Sequence, residues 1–467
     1  MGYFENNGAY KKILHPLLIG GVFLTPLLYT YTTKELFEFP KMHLIYLLSI
    51  TASLIYFIGK RGLRGIRIIR TPLNIGIAIY LFSYFISTIY SSDIYTSVFG
   101  YYTRFNGGFL SVMAFMALYY ILVDELNNNI KLFKEIIISM SLSLFAVSIF
   151  GIGQHFGFQK GLWVQDSSAR VFASLGQPNW LAAWLVMLLP LVTTLFLTTK
   201  NKLKKSFFFV VSVAAFLALW FTYSISGIVG AFVSGLLFLK INSREWVFSK
   251  AKQLLIIFLL FVVVSLTFPG IFKPRVESLI KQLKTATVAI YAAEIATSYE
   301  GDTFSIRKIV WRGGLKTFLS SGKTMLIGTG PETFAYNFLP FRPRELNSTS
   351  EWDFLYNKAH NEFIDILVTR GSIGLIAYII LITQFCYQIA MYIRNRSQDN
   401  LSSPINNKHR YTPLVVSLLC GVIGLLVTNI FGWTTVTTSL SFWLFLACCQ
   451  DIKGIWKNNE EDLFEQQ

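Results

Sequence analysis

The chain has 467 residues, 53% of them hydrophobic and only 14% charged, with a mean hydropathy of +0.51. A soluble domain carries about 25% charged residues, so an ordinary soluble enzyme is excluded. The net charge of +16, from 41 Lys and Arg against 25 Asp and Glu, could suggest nucleic acid, but basic residues between membrane spans report orientation instead.

Apolar runs of about 17 to 22 residues, each long enough to cross a hydrocarbon core about 30 Å thick, recur from end to end. They predict an all-α polytopic membrane protein with about twelve transmembrane helices, near 13–31, 43–59, 72–90, 108–124, 135–153, 179–198, 206–223, 226–241, 254–272, 371–391, 411–431 and 434–450. The first run is too long for a removable signal peptide and shows no small-residue cleavage site. With the N-terminus inside, the inner segments hold 23 of the Lys and Arg residues, the short outer loops 5, and segment 273–370 the remaining 13. This asymmetry predicts cytoplasmic N- and C-termini in a multi-pass protein of the plasma membrane. The predicted organisation is therefore spans one to nine over 1–272, a large extracytoplasmic helical loop over 273–370, and spans ten to twelve with a tail over 371–467. The cysteines Cys386, Cys420, Cys448 and Cys449 lie in apolar stretches and read as small core residues.

Within the long loop, Val276 to Ala296 has the mixed spacing of an interfacial helix. A second helix is expected from Ser305 to Leu319. Gly328 and Gly330 make a turn, and Pro331 suits a first helical position.

Three elements carry candidate chemistry. In the loop between spans five and six, Arg170 precedes a turn, Gly176-Gln177-Pro178-Asn179, that feeds the sixth span. It reads equally as an interfacial Arg snorkelling to headgroups or as a site residue. Arg307 and Trp311 share a helix face at i,i+4, where they either stack structurally or line a site. His360 opens Lys358-Ala359-His360-Asn361-Glu362 and is expected to project from the first turn of a helix entering the membrane, as a structural or a catalytic residue.

Together Arg170, Arg307 and His360 resemble the family of bacterial O-antigen ligases, O-antigen polymerases and related oligosaccharyltransferases. The resemblance rests on the Gly176 to Asn179 turn, on Arg307 and Trp311 followed by Gly328-Thr329-Gly330-Pro331, and on His360-Asn361 followed by Arg370-Gly371 and Gly374. Phe39-Pro40-Lys41 before span two, and Phe99-Gly100 to Arg104-Phe105-Asn106-Gly107-Gly108 before span four, add to it. Gln177 stands where the family usually has Asn. The stretch Thr222 to Gly227 lacks an Arg that many members carry.

The resemblance implies a GT-C-like, metal-independent, inverting glycosyltransferase without cofactor. It would move a glycan from an undecaprenyl-diphosphate donor to an acceptor hydroxyl at the outer face of the bacterial inner membrane. Arg170, Arg307 and His360 are the implied catalytic residues, and Arg104, Asn179, Trp311, Arg312, Asn361 and Arg370 the implied substrate-binding ones. The physics fits: guanidinium groups stabilise the departing diphosphate, and a His suits the base that takes the acceptor proton. The acceptor stays open between lipid A core, a growing polysaccharide and a protein. The rival from another class is a lipid-linked glycan flippase or other secondary transporter. A transporter should carry charges at mid-membrane depth, and the apolar runs are nearly free of them.

Overall fold

The computed structural model describes residues 8–60, 70–127, 129–270, 303–402 and 412–450, and these form helices and connecting turns without a strand. Among the described residues seven helices are long and apolar enough to cross a membrane: Glu38–Gly59, Phe109–Leu126, Ile130–His155, Pro178–Thr198, Lys202–Phe221, Glu362–Arg394 and Thr412–Asn429. Shorter apolar helices lie at Asn74–Ile89, Ile225–Ile241, Ala251–Thr267 and Val436–Cys448, and a further helix at Lys11–Leu24. Every one of the twelve apolar runs thus contains a helix. The expected interfacial helix at 276–296 lies outside the described residues.

Helix ends are set by local chemistry. Asn129, Ser224 and Thr435 each accept a backbone N–H of the first turn that follows, satisfying donors that have no intrahelical partner. Gly176, at φ 87°, reverses the chain so that Pro178 can start the helix Pro178–Thr198, at the position where its missing N–H costs nothing. That helix is the most enclosed of the seven, 83% buried. Small residues bring its neighbours close: a Cβ on Gly421 would meet the carbonyl oxygen of Met187 at 2.2 Å, and one on Gly230 the carbonyl oxygen of Gly424 at 3.0 Å. Such close backbone approach is how apolar helices pack in the absence of a hydrophobic drive between them.

The helix Glu362–Ser402 breaks at Gly371, with φ 67°. A break leaves carbonyls of the preceding turn without helical donors. The Gly328-Thr329-Gly330 turn supplies them: Thr329 N–H donates to the Val368 carbonyl at 3.0 Å and Gly330 N–H to that of Thr369 at 2.8 Å. Here one expectation is corrected. Pro331 does not start a helix but lies in a turn, because this backbone is committed to the kink; the next helix is Phe334–Phe338, preceded by Thr333. The helix expected at 305–319 is present as Thr303–Phe318. Its Ile306 and Val310 join Phe334, Phe338, Leu346 and Tyr356 in a small core of their own, which seats this part of the chain on the start of the helix at Glu362.

The connecting segments fall into two sets at opposite ends of the bundle. At one end, Glu125 accepts from Tyr10 and meets His15 at 2.9 Å, and Asp124 pairs with Lys60 and Tyr56. At the other end lie Glu38, Lys41, the loops carrying Arg104, Arg170 and His360, and the loop 430–435.

Candidate active site

The loop 430–435 joins the last two helices and carries Trp433. The Arg104 guanidinium lies over Trp433 at 5.7 Å and over Trp180 at 5.3 Å. His360 meets the same indole edge-on, ring centroids 4.8 Å apart, with Tyr356 at 5.9 Å. Two carboxylates pin the loop: Thr434 N–H donates to Glu362 at 2.9 Å and Val436 N–H to Glu38 at 2.8 Å.

On one side of Trp433 is a small recess lined by Gln177, Asn179, Trp180, Ser226, His360 and Asn429. Arg170 reaches it through Asn179, whose Oδ1 accepts from Arg170 Nη2 at 3.3 Å and from Ser224 Oγ at 2.8 Å. Arg170 Nε donates to the Thr222 carbonyl at 3.0 Å. The loop bearing Arg170 is held from three sides. Gln154 accepts from the N–H groups of Phe172 and Ala173, Lys41 Nζ donates to the Ser174 carbonyl at 2.6 Å, and Ser174 Oγ donates to that of Pro26. Lys41 is fully buried in this role.

On the other side of Trp433 is a cavity of about 90 Å³. Its wall includes Glu38, Arg104, Glu332, Lys358, Asp365 and Arg370. Lys358 bonds Glu332 and, at 3.2 Å, Asp365. Arg370 is 4% exposed and lies 4.2 Å from the centre of the Tyr84 ring, a cation–π contact in the cavity wall.

The expected site residues are thereby sorted. Arg104, Arg170, Asn179, His360 and Arg370 line the recess or the cavity or reach them. Arg307 is half-buried on its helix, and its Nε has no hydrogen-bond partner among the described residues. Trp311 packs on Phe431 of the recess, centroids 6.1 Å apart. Arg312 faces outward and pairs with Glu345 at 3.0 Å, both more than half exposed. Asn361 caps the helix at Glu362 by accepting from Phe363 and Ile364 N–H. His360 itself differs from expectation. It precedes the helix rather than belonging to its first turn, and stands at φ 53°. That sparsely populated backbone costs about 1 to 3 kcal/mol and turns the imidazole toward Trp433.

Electrostatics distinguish the two sides. Burial, then the charges of Arg307 and Arg104, push the His360 pKa down to about 3, so the imidazole is neutral at physiological pH. Burial also lowers Arg307, opposed by Glu351, though a guanidinium remains charged. Burial raises the Glu332 carboxyl, against the pull of Lys358. The recess is therefore lined by neutral side chains, with Arg170 behind Asn179 and the charges of Arg307 and Arg104 felt at the neutral imidazole, whereas the cavity mixes carboxylates with cations.

Sequence reasoning missed Glu38, Glu332 and Lys358 as lining residues, and Trp433 altogether. Glu38, Glu332 and Lys358 each sit inside or beside a quoted motif, which was the available signal. Nothing near Trp433 offered one.

Residues 210–379 match a family model described as O-antigen ligase. The match contains Arg307, Trp311, His360 and Arg370, while Arg104, Arg170 and Asn179 lie before it. No curated protein matches the chain.

Proposed function

For a chain that carries the O-antigen ligase family domain over residues 210–379, we propose glycan transfer from an undecaprenyl-diphosphate donor to an acceptor hydroxyl at the outer face of the bacterial plasma membrane. The observation that carries this reading is the meeting of His360, Arg104 and the Arg170–Asn179 pair around Trp433, with Arg307, whose Nε has no partner among the described residues, close enough for its charge to act on the imidazole.

In the proposed reaction the acceptor oxygen bonds to the anomeric carbon as the bond from that carbon to the diphosphate breaks. The electron pair leaves with the diphosphate, where Arg170 and Arg307 stabilise the added charge. The acceptor proton goes to His360. A single displacement of this kind inverts the anomeric centre, and the guanidinium groups take the part a metal ion would otherwise play. A bound diphosphate would also offset the two cations that hold the imidazole pKa down, so His360 gains basicity when the donor is seated.

A flippase or other transporter is less well supported. In the described apolar helices charged residues gather toward the ends, and from Gly371 to Ile393 there is none. The test is transfer by purified, reconstituted protein from a lipid-linked donor. Loss of transfer in Arg170→Ala, Arg307→Ala and His360→Ala with folding retained is expected. Donor crossing the bilayer without any new glycosidic bond would replace this reading with the transporter.

A further inference from the structure

The cavity beyond Trp433 has no part in the proposed clamp, yet it is built like a binding site. It has room for roughly half a dozen waters, taking about 10 to 15 Å³ for each. Three polar atoms of its lining side chains are buried without a hydrogen-bond partner among the described residues: Glu38 Oε1, Arg104 Nε and Arg370 Nη1. Glu38 is 2% exposed and Arg370 4%. Buried polar atoms are almost always paired, and leaving one unpaired costs about 1 to 3 kcal/mol. One acceptor and two donors around one space describe the complement of a missing polar group.

The chemistry of the lining narrows the occupant. Its four carboxylates, Glu38, Glu332, Glu362 and Asp365, face three cations, Arg104, Lys358 and Arg370, and Lys358 is already committed to Glu332 and Asp365, so the lining offers a phosphate no net attraction. An acyl chain would strand every one of these polar atoms. A hydroxyl-rich ring satisfies both sets, its hydroxyls donating to carboxylates and accepting from guanidinium groups, and its apolar faces lying on rings such as Trp433 and Trp443.

We propose that this cavity is a sugar subsite that receives one hydroxyl-bearing ring of a glycan substrate, with Glu38 and Arg370 as its selecting residues. This rests on the glycan-transfer reading. The ring belongs to the donor glycan or to the acceptor, and the chemistry is the same for either.

The probes are glucose, N-acetylglucosamine and glucuronic acid, titrated to about 0.1 M against the full-length protein in detergent, with tryptophan fluorescence as readout. At least one is expected to give a saturable change. That change should weaken about tenfold or more in Glu38→Gln, which keeps the shape and the bond to Val436 but puts an amide NH2 donor where the unpaired Oε1 acceptor stands. It should also vanish in Ser111→Leu, which fills the cavity from its wall. Both variants should melt near the wild type. Competition against the acceptor in the transfer assay assigns the ring to the acceptor, and competition against the lipid-linked donor assigns it to the donor. No saturable response to any of the three sugars overturns the subsite, as does a response unchanged in Glu38→Gln. Transfer that persists alongside such a result leaves the enzyme reading standing, whereas sugar binding without transfer under any donor would sink the enzyme and keep the subsite.

Discussion

At Arg170 the side chain is divided between two tasks. Its Nε is spent on the Thr222 carbonyl, and Nη2 on Asn179, so it enters the recess already oriented. An ammonium cannot make both contacts. Arg170→Lys is therefore expected to lose transfer nearly as badly as Arg170→Ala, by roughly tenfold to a hundredfold, the worth of one charge-assisted hydrogen bond. A Lys variant with wild-type turnover would remove the planar clamp. His360 makes a separate prediction about pH. Its folded pKa is depressed, so the unfolded chain binds the extra proton between about pH 6.5 and 3, and stability falls as pH drops through that window. Between pH 6.5 and 5 this amounts to up to about 2 kcal/mol, and His360→Gln should flatten that part of the curve. Denaturant unfolding of both proteins across this range checks it; parallel curves would mean the imidazole is not held neutral. The acid limb of kcat should also lie at higher pH than that of kcat/KM, because only the former reports the donor-bound state. These residue types were legible in the sequence, since Arg and His stand out in apolar surroundings. Their partners were not: Trp433 is more than 70 residues from His360, and an indole among apolar residues carries no mark of what it faces.

Between elements, the decisive joint is the kink at Gly371. A Cβ there would lie 2.3 Å from the Leu326 carbonyl oxygen and 2.5 Å from the Ile327 nitrogen, backbone atoms that cannot step aside. Its φ of 67° adds strain for any other residue. Gly371→Ala should therefore cost about 1 to 3 kcal/mol and displace the turn that carries Glu332. A thermal-shift assay with transfer activity measures both; an Ala variant that melts within a degree of wild type would refute the joint. Helices were readable from apolar runs and caps, which are local. The kink was only half readable: Gly371 and the Gly328-Thr329-Gly330 turn were both noticed, but their hydrogen bonds span some 40 residues, and periodicity says nothing at that range. The same limit explains Pro331, whose local preference for a helix start yields to the carbonyls that its neighbours must satisfy.

For the whole molecule, the charge asymmetry of 23 against 5 in short segments implies a sidedness that labelling can test. A cysteine at position 345 should react with an impermeant reagent in intact cells, and one at position 202 only after permeabilisation. The reverse pattern would invert the protein in its membrane and put the recess in the cytoplasm.

The bond from Val436 to Glu38 joins residues 398 positions apart. A ribosome adding about 5 to 20 residues per second needs roughly 20 to 80 seconds to make the stretch between them. Throughout that interval Arg104, Arg170, Arg307 and His360 are synthesised in turn without the loop that gathers them. The nascent chain thus holds its reactive groups apart until the final helical pair enters the bilayer, so competence arrives in a single late step of biogenesis rather than building up span by span.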